Sequence, residues 1–300
     1  MAKRTALPFS APGGSGAVSI ASTSSKALSH ARAPLHMSGG VRVFAGHGAP
    51  LMVTGFGPFP GVADNASARL VSALAAHRAA HQQGEALSQV PLIAAVLPTC
   101  WDEGLAMAAD LVLTHRPRAV LHFGVSSRAQ GFEIELIARN ATCAVEDAAG
   151  DLPALTLLQY GGPPRCRATI PVLAMVERLR LLSIPAVASR DAGLYLCNAV
   201  MYQTLGLAAR HALPLHAGFI HIPEQIFGIN GGTAGSTART SARPARGGGR
   251  QGERAGASAG LKWSEAVSGA LALSRLAARL PAPRSRASAL RSPHRGGRIA

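Results

Sequence analysis

Pro50-Leu51-Met52-Val53-Thr54-Gly55 is a short apolar run stopped by glycine, and the chain repeats that pattern in alternation with helical segments. A run of this length bounded by turn formers reads as a buried strand. After the loop from Phe56 to Asp64, Asn65 stands where a helix N-cap belongs. Leu70, Val71, Leu74 and Ala75 then share one helical face through about His77. Pro91 to Leu97 is a second apolar strand. Asp102 opens a second helix, with Leu105, Ala108, Ala109 and Val112 at helical spacing, and Arg118 to Gly124 is a third strand. Strands alternating with helices of this length call for an α/β layer structure.

The alternation continues. Gly131 to Asn140 reads as one extended strand with Phe132, Ile134 and Leu136 on one side, and Pro171 to Leu182 as an amphipathic helix. Pro185 to Ala188 is a short strand, Asn198 to Ala209 a helix and His216 to Ile222 a last strand. The expected architecture is a single three-layer α/β/α domain with a mostly parallel central sheet, covering residues 49–228. Residues 261–280 return to helical periodicity through Leu261, Trp263, Val267, Ala270, Leu271 and Leu276, and are expected to dock back as a closing helix. Residues 1–48, rich in Gly, Ser, Pro and Ala, read as a disordered leader, with Met37 or Met52 as the expected true start. Residues 229–260 read as a flexible Gly/Arg-rich insertion, and 281–300 as a disordered basic tail.

The net charge of +15 belongs to the ends, because residues 49–230 hold twelve cationic and thirteen acidic side chains. A basic chain invites a nucleic-acid reading. Its basic ends, however, lack interleaved aromatics and recognition-helix patterning, so solvated tails are expected and nucleic acid is not an expected partner. No run reaches the ~18 apolar residues of a membrane span. Cys100, Cys143, Cys166 and Cys197 show no CxxC spacing, which argues against a disulfide framework or a cysteine zinc site. A reduced, cytoplasmic protein is expected.

Two side chains stand out chemically. Cys197 follows the turn-rich segment Ser189 to Leu196 and opens a predicted helix, where the dipole favours a thiolate and unpaired backbone amides can receive an oxyanion. His221 ends an apolar strand just before Pro223, and strand ends are where open α/β sheets place ligands. A thiol and an imidazole make a nucleophile and its base. A third group should hold the imidazole. Glu133 and Glu135 are both candidates, each a carboxylate in an otherwise apolar segment.

These segments resemble those of pyroglutamyl peptidase I, or pyrrolidone-carboxylate peptidase. Ser189, Ala192-Gly193, Tyr195, Cys197 and Asn198 fall where its cysteine signature has them. Gly124, Glu135, Ile137, Ala138 and Asn140 match its glutamate signature, which selects Glu135 over Glu133. Gly218 to Pro223 is similar to its histidine segment, and Val53 to Phe59 followed by Asn65 to its N-terminal loop. The resemblance implies a cysteine omega-peptidase with Cys197 as nucleophile, His221 as general base and acid, and Glu135 orienting His221. Phe56, Phe59, Gly124 and Asn140 would bind the substrate, a peptide whose N-terminus is blocked as pyroglutamate. It implies no metal or organic cofactor, and a homo-oligomer, commonly a tetramer. The chain departs from the family at Leu136, usually basic, at Glu133, usually Ser or Thr, at Pro60-Gly61, in the turn Gly124 to Ser127, and at Ala141 to Val145. Two alternatives are a same-fold amidase with another acyl preference, and a catalytically weak relative binding polyanions through its tails.

Overall fold

A computed structural model describes residues 40–81, 89–228 and 260–281. In chain order these form β1 (Val41–Phe44), β2 (Leu51–Phe56), α1 (Ala66–Ala80), β3 (Leu92–Leu97), α2 (Trp101–His115), β4 (Ala119–Ser126), β5 (Phe132–Glu135), β6 (Ile137–Arg139), β7 (Arg165–Arg167), α3 (Val172–Arg180), β8 (Ala186–Ser189), α4 (Leu196–Arg210), β9 (His216–Pro223) and α5 (Trp263–Ala278). Seven strands make one sheet in the order β1-β3-β2-β4-β9-β5-β8. β2 runs parallel to β3 and β4, β4 to β9, and β5 to β8. Only β1 on β3 and β5 on β9 are antiparallel contacts within this sheet.

The apolar pattern explains the layering. Every residue of β2 is buried, as a central strand covered on both faces requires. Alternate side chains then feed two cores. Leu51, Val53, Leu121, Phe132, Ile134 and Ile220 pack with α1, α3 and α5. Met52, Val120 and Phe219 pack with α2 and α4 on the other face. Each fully buried Leu or Phe here contributes roughly 1.5–3 kcal/mol. The result is the mostly parallel α/β/α sandwich that the sequence implied. Among the described residues no helix is long and apolar enough to cross a membrane.

Local chemistry sets the ends of the elements. Asn65 caps α1, its Oδ1 accepting from the Ser67 amide at 3.0 Å and the Ser67 hydroxyl at 2.8 Å. For α2 the start is Trp101, one residue before the expected Asp102. The cap is non-local, because Asp147 Oδ2 accepts from the Trp101 amide at 2.7 Å.

Two expectations are corrected. The leader cannot extend to residue 48, because Val41–Phe44 is an edge strand on β3. The single strand over 131–140 is broken at Leu136. Its amide still bonds Ser189 O of β8 at 2.7 Å, while its carbonyl accepts from Ala168 at 3.0 Å and β6 pairs with β7 in a separate small sheet. Residues 1–39 of the expected leader, residues 229–259 of the insertion and residues 282–300 of the tail lie outside the described residues.

Candidate active site

Three strand ends meet at one place. β4 and β9 run parallel with Gly124 opposite His221, and β5 returns antiparallel with Glu133 opposite His221. The two-residue period of a strand puts Glu133 and Glu135 on one side of β5 and Phe219 and His221 on the same side of β9. Phe219 belongs to the core beneath α4, so this is the face that α4 covers. Glu135 has no solvent exposure. His221 Nδ1 donates to Glu135 Oε1 at 2.9 Å.

Cys197 is the second residue of α4, so its sulfur sits at the positive end of the helix dipole. Tyr195, at the N-cap position, gives no side-chain hydrogen bond to the helix, which leaves the first turn free of side-chain capping. Glycine at 124 makes the approach of the sulfur possible. A Cβ there would lie 3.0 Å from Cys197 Sγ and 2.6 Å from the Phe219 ring. Burial by itself would lower the pKa of His221. The hydrogen bond and charge of Cys197, and then those of Glu135, outweigh burial and push it up to about 10. Sulfur on one side and carboxylate on the other thus favour the charged form of the imidazole.

The side chains of Cys197, His221 and Glu135 thus fall into one line, in which His221 hydrogen-bonds Glu135 and the Cys197 sulfur raises the pKa of the same imidazole. Such a line suits nucleophilic attack and proton shuttling on an acyl group. A family model for pyroglutamyl peptidase matches residues 49–236, more than half of the chain. The chain belongs to the pyroglutamyl peptidase family. The pyrrolidone-carboxylate peptidase 1 of Ralstonia nicotianae is 33% identical over 174 residues, 58% of this chain and 77% of that protein. The crystal structure of Bacillus amyloliquefaciens pyroglutamyl peptidase I superposes with TM-score 0.61, covering 79% of this chain and 100% of that one. At 23% identity it speaks for the fold. A mutant pyrrolidone carboxyl peptidase from Pyrococcus furiosus gives TM-score 0.58 at 26% identity, covering 76% of this chain and 97% of that one. The protein is a hydrolase of the cysteine-peptidase type, and its family acts on pyroglutamyl N-termini.

Within this pyroglutamyl peptidase fold the remaining residues singled out from sequence divide. Phe56 is buried, its ring centroid 6.4 Å from that of Phe219. Phe59 is half-buried in the following loop, its amide and carbonyl both paired with Val62. That loop is fixed through Gly57 O, which accepts from Asn65 Nδ2 at 2.9 Å and Thr99 Oγ1 at 2.8 Å. Asn140 stands apart. Its Nδ2 donates to Gln159 O at 2.7 Å and its Oδ1 accepts from the Gln159 amide at 2.8 Å, so the side chain anchors the 159–162 turn.

Two residues of the peptidase were not given a role by sequence reasoning. Asn198, next to the sulfur-bearing residue, takes the Arg139 amide at 2.7 Å and donates to Arg139 O at 2.9 Å and Ala141 O at 3.0 Å. It ties the segment after Glu135 to the helix of Cys197. Phe219 stacks on His122, with centroids 6.4 Å apart, and lies 4.8 Å from the His221 ring. The only signal for either was its place inside a matched segment.

Proposed function

We propose that the protein removes N-terminal pyroglutamate from peptides through a thioester, with Cys197 as nucleophile, His221 as acid and base, and Glu135 as the residue that orients His221. The observation that carries this reading is the buried His221–Glu135 hydrogen bond, with the Cys197 sulfur acting on the same imidazole and lying beside Gly124, which pairs with His221. In the first half-reaction Sγ forms a bond to the pyroglutamyl carbonyl carbon, and the carbonyl oxygen takes up the charge against the backbone amides at the start of α4. The amide C–N bond breaks and His221 protonates the leaving amine. In the second, water gives a proton to His221 and attacks the thioester, and His221 passes that proton to the departing sulfur, releasing 5-oxoproline and the thiol. Phe56 and Phe59 are the proposed walls for the flat lactam ring, and Gly124 admits the acyl group beside the sulfur. Asn140 serves the pocket at one remove, through the turn it anchors.

Reduced thiols suit this chemistry, and all four cysteines are free, in keeping with a cytoplasmic setting. A homo-oligomer is proposed on separate grounds, because Leu152, Leu155, Leu157 and Tyr160 leave an exposed apolar stretch.

A chromogenic pyroglutamyl amide, compared with other acyl amides, tests the reading. The wild type should prefer the pyroglutamyl amide, and Cys197→Ser should lose at least about 10^3-fold in kcat/KM. Turnover surviving in Cys197→Ser would end the thiol mechanism. A faster reaction on another acyl amide would favour the same-fold amidase, a reading motivated by the departures at Glu133, Leu136 and 141–145.

A further inference from the structure

Glu133 takes no part in the reaction above, yet it stands beside it. It is half-buried and lies opposite His221 across the β5–β9 pair, two residues from Glu135 on the same side of the strand. One ligand atom each from Glu133, Glu135 and His221 lie within 4.8 Å of one another. The second oxygen of Glu135 is buried and makes no hydrogen bond, in a side chain with no solvent exposure. A buried carboxylate oxygen without a partner is costly, and two carboxylates this close repel. A cation among the three would relieve both penalties.

We propose that Glu133, Glu135 and His221 form a binding site for a divalent transition metal of the zinc type, and that the bound metal switches hydrolysis off. Zinc sits roughly 2.0–2.2 Å from nitrogen and oxygen ligands, which puts tetrahedral neighbours about 3.3 Å apart. That spacing falls between the 2.9 Å of the His221–Glu135 contact and the 4.8 Å outer limit. One imidazole with two carboxylates selects zinc or cobalt over magnesium and calcium, which prefer oxygen alone. Three protein ligands leave a fourth position for water. Cysteine spacing does not bear on this site, since it needs no thiolate.

The consequence for hydrolysis follows from proton bookkeeping and rests on the peptidase reading. The binding itself does not. Metal takes the Nδ1 lone pair of His221 and the Nδ1 proton leaves to solvent. A neutral imidazole ligated at Nδ1 carries its one proton on Nε2. That nitrogen cannot take a proton from the attacking water, and giving its own proton to the leaving amine would leave an imidazolate, far less favourable than the neutral ring an imidazolium leaves. Glu135 is drawn from the imidazole to the metal at the same time. Hydrolysis stops although the metal never touches the sulfur.

The test is Zn2+ binding to the full chain by titration calorimetry, with Co2+ as a spectroscopic probe, for the wild type, Glu133→Ser, Glu133→Gln and Cys197→Ser. Serine is the residue type that the resembling family commonly carries there, and glutamine keeps the shape of Glu133 while removing its charge. The wild type should bind one Zn2+ and show no sulfur-to-cobalt charge-transfer band. Both Glu133 variants should bind at least about tenfold more weakly, and Cys197→Ser as the wild type does. On the pyroglutamyl amide, Zn2+ should inhibit the wild type reversibly to EDTA and leave Glu133→Ser running. Undiminished binding in a folded Glu133 variant, or loss of binding in Cys197→Ser, overturns the site. If the wild type hydrolyses no acyl amide, the binding measurements still decide the site and only the peptidase reading fails.

Discussion

Gly124 is held to glycine by the sulfur it faces. Adding a methyl group there sets it 3.0 Å from Cys197 Sγ and 2.6 Å from the Phe219 ring, and the ring cannot retreat because it is fully buried. Gly124→Ala should therefore cost about 1–3 kcal/mol of stability and displace the thiol, lowering kcat more than it raises KM. Chemical unfolding and steady-state rates measure the two effects separately. Glu135→Gln is the complementary change at the far end of the line. It keeps the shape but can no longer fix which imidazole nitrogen carries the proton, and a loss of roughly 10^3-fold or more in kcat is expected, with KM little changed. A third residue, His122, titrates in the opposite sense to His221. Its Nδ1 lies 2.7 Å from Thr54 Oγ1 and its Nε2 3.0 Å from Thr204 Oγ1, and complete burial pulls its pKa down to about 3. Between that value and about 6.5 the unfolded chain binds a proton that the folded one refuses. Its contribution to stability is whole above about pH 6.5 and is lost as the pH falls toward 3. His122→Gln should flatten this acid limb by up to about 1.4 kcal/mol per pH unit, read from urea unfolding between pH 4 and 7. Cys197 and His221 stood out because each sits at the end of an element in a local pattern of its own, whereas only the resemblance separated Glu135 from Glu133. Phe219 and Asn198 were not, because what they touch is decided by strand register and by a partner 59 residues away.

Helix α1 shows how one cap reaches the loop that carries Phe59. Asn65 holds the first turn of the helix through Ser67 and, through Gly57 O, the loop that carries Phe59. Asn65→Ala removes both contacts. A stability loss of about 1–2 kcal/mol is expected, together with a rise in KM for the pyroglutamyl amide that exceeds the change in kcat. A drop in melting temperature with unchanged KM would confine Asn65 to capping. The cap could be seen in the sequence because donor and acceptor are two residues apart. The cap of α2 could not, since Asp147 lies 46 residues from Trp101. The same distinction separates the remaining elements. β2, β3, β4 and β9 announce themselves as continuous apolar runs. β7 reads Arg-Cys-Arg with both arginines exposed, and it exists only because β6 pairs with it. β1 has an exposed face at three of its four residues, so its sequence carried little strand signal until β3 offered an edge. The break at Leu136 is likewise a tertiary event, for its carbonyl is claimed by Ala168 from outside the main sheet.

At the scale of the whole molecule, the basic excess and the chemistry occupy different parts of the chain. Residues 49–230 are close to neutral, whereas residues 282–300 carry five arginines and no acid. The structure also shows where the two can be parted. Pro281 O lies 2.8 Å from His216 Nε2, and Leu280 O accepts from Arg118, so the chain is bound to the base of β4 and β9 up to Pro281. Ending the chain after Pro281 keeps both contacts and the whole of α5. The line of Cys197, His221 and Glu135 lies at the opposite, carboxyl ends of these same strands, because β4 runs from Ala119 to Ser126 and β9 from His216 to Pro223. The shortened protein should therefore keep its melting temperature and its kcat/KM within about twofold, a change at the level of surface substitutions. Its elution from a polyanion column should move to lower salt, and the slope of log affinity against log salt should fall by up to about four for five lost arginines. A large fall in kcat/KM with an unchanged melting temperature would assign the arginines to substrate capture. That result would revive the reading in which the basic ends, and not only the buried line of sulfur, imidazole and carboxylate, recognise what this protein acts on.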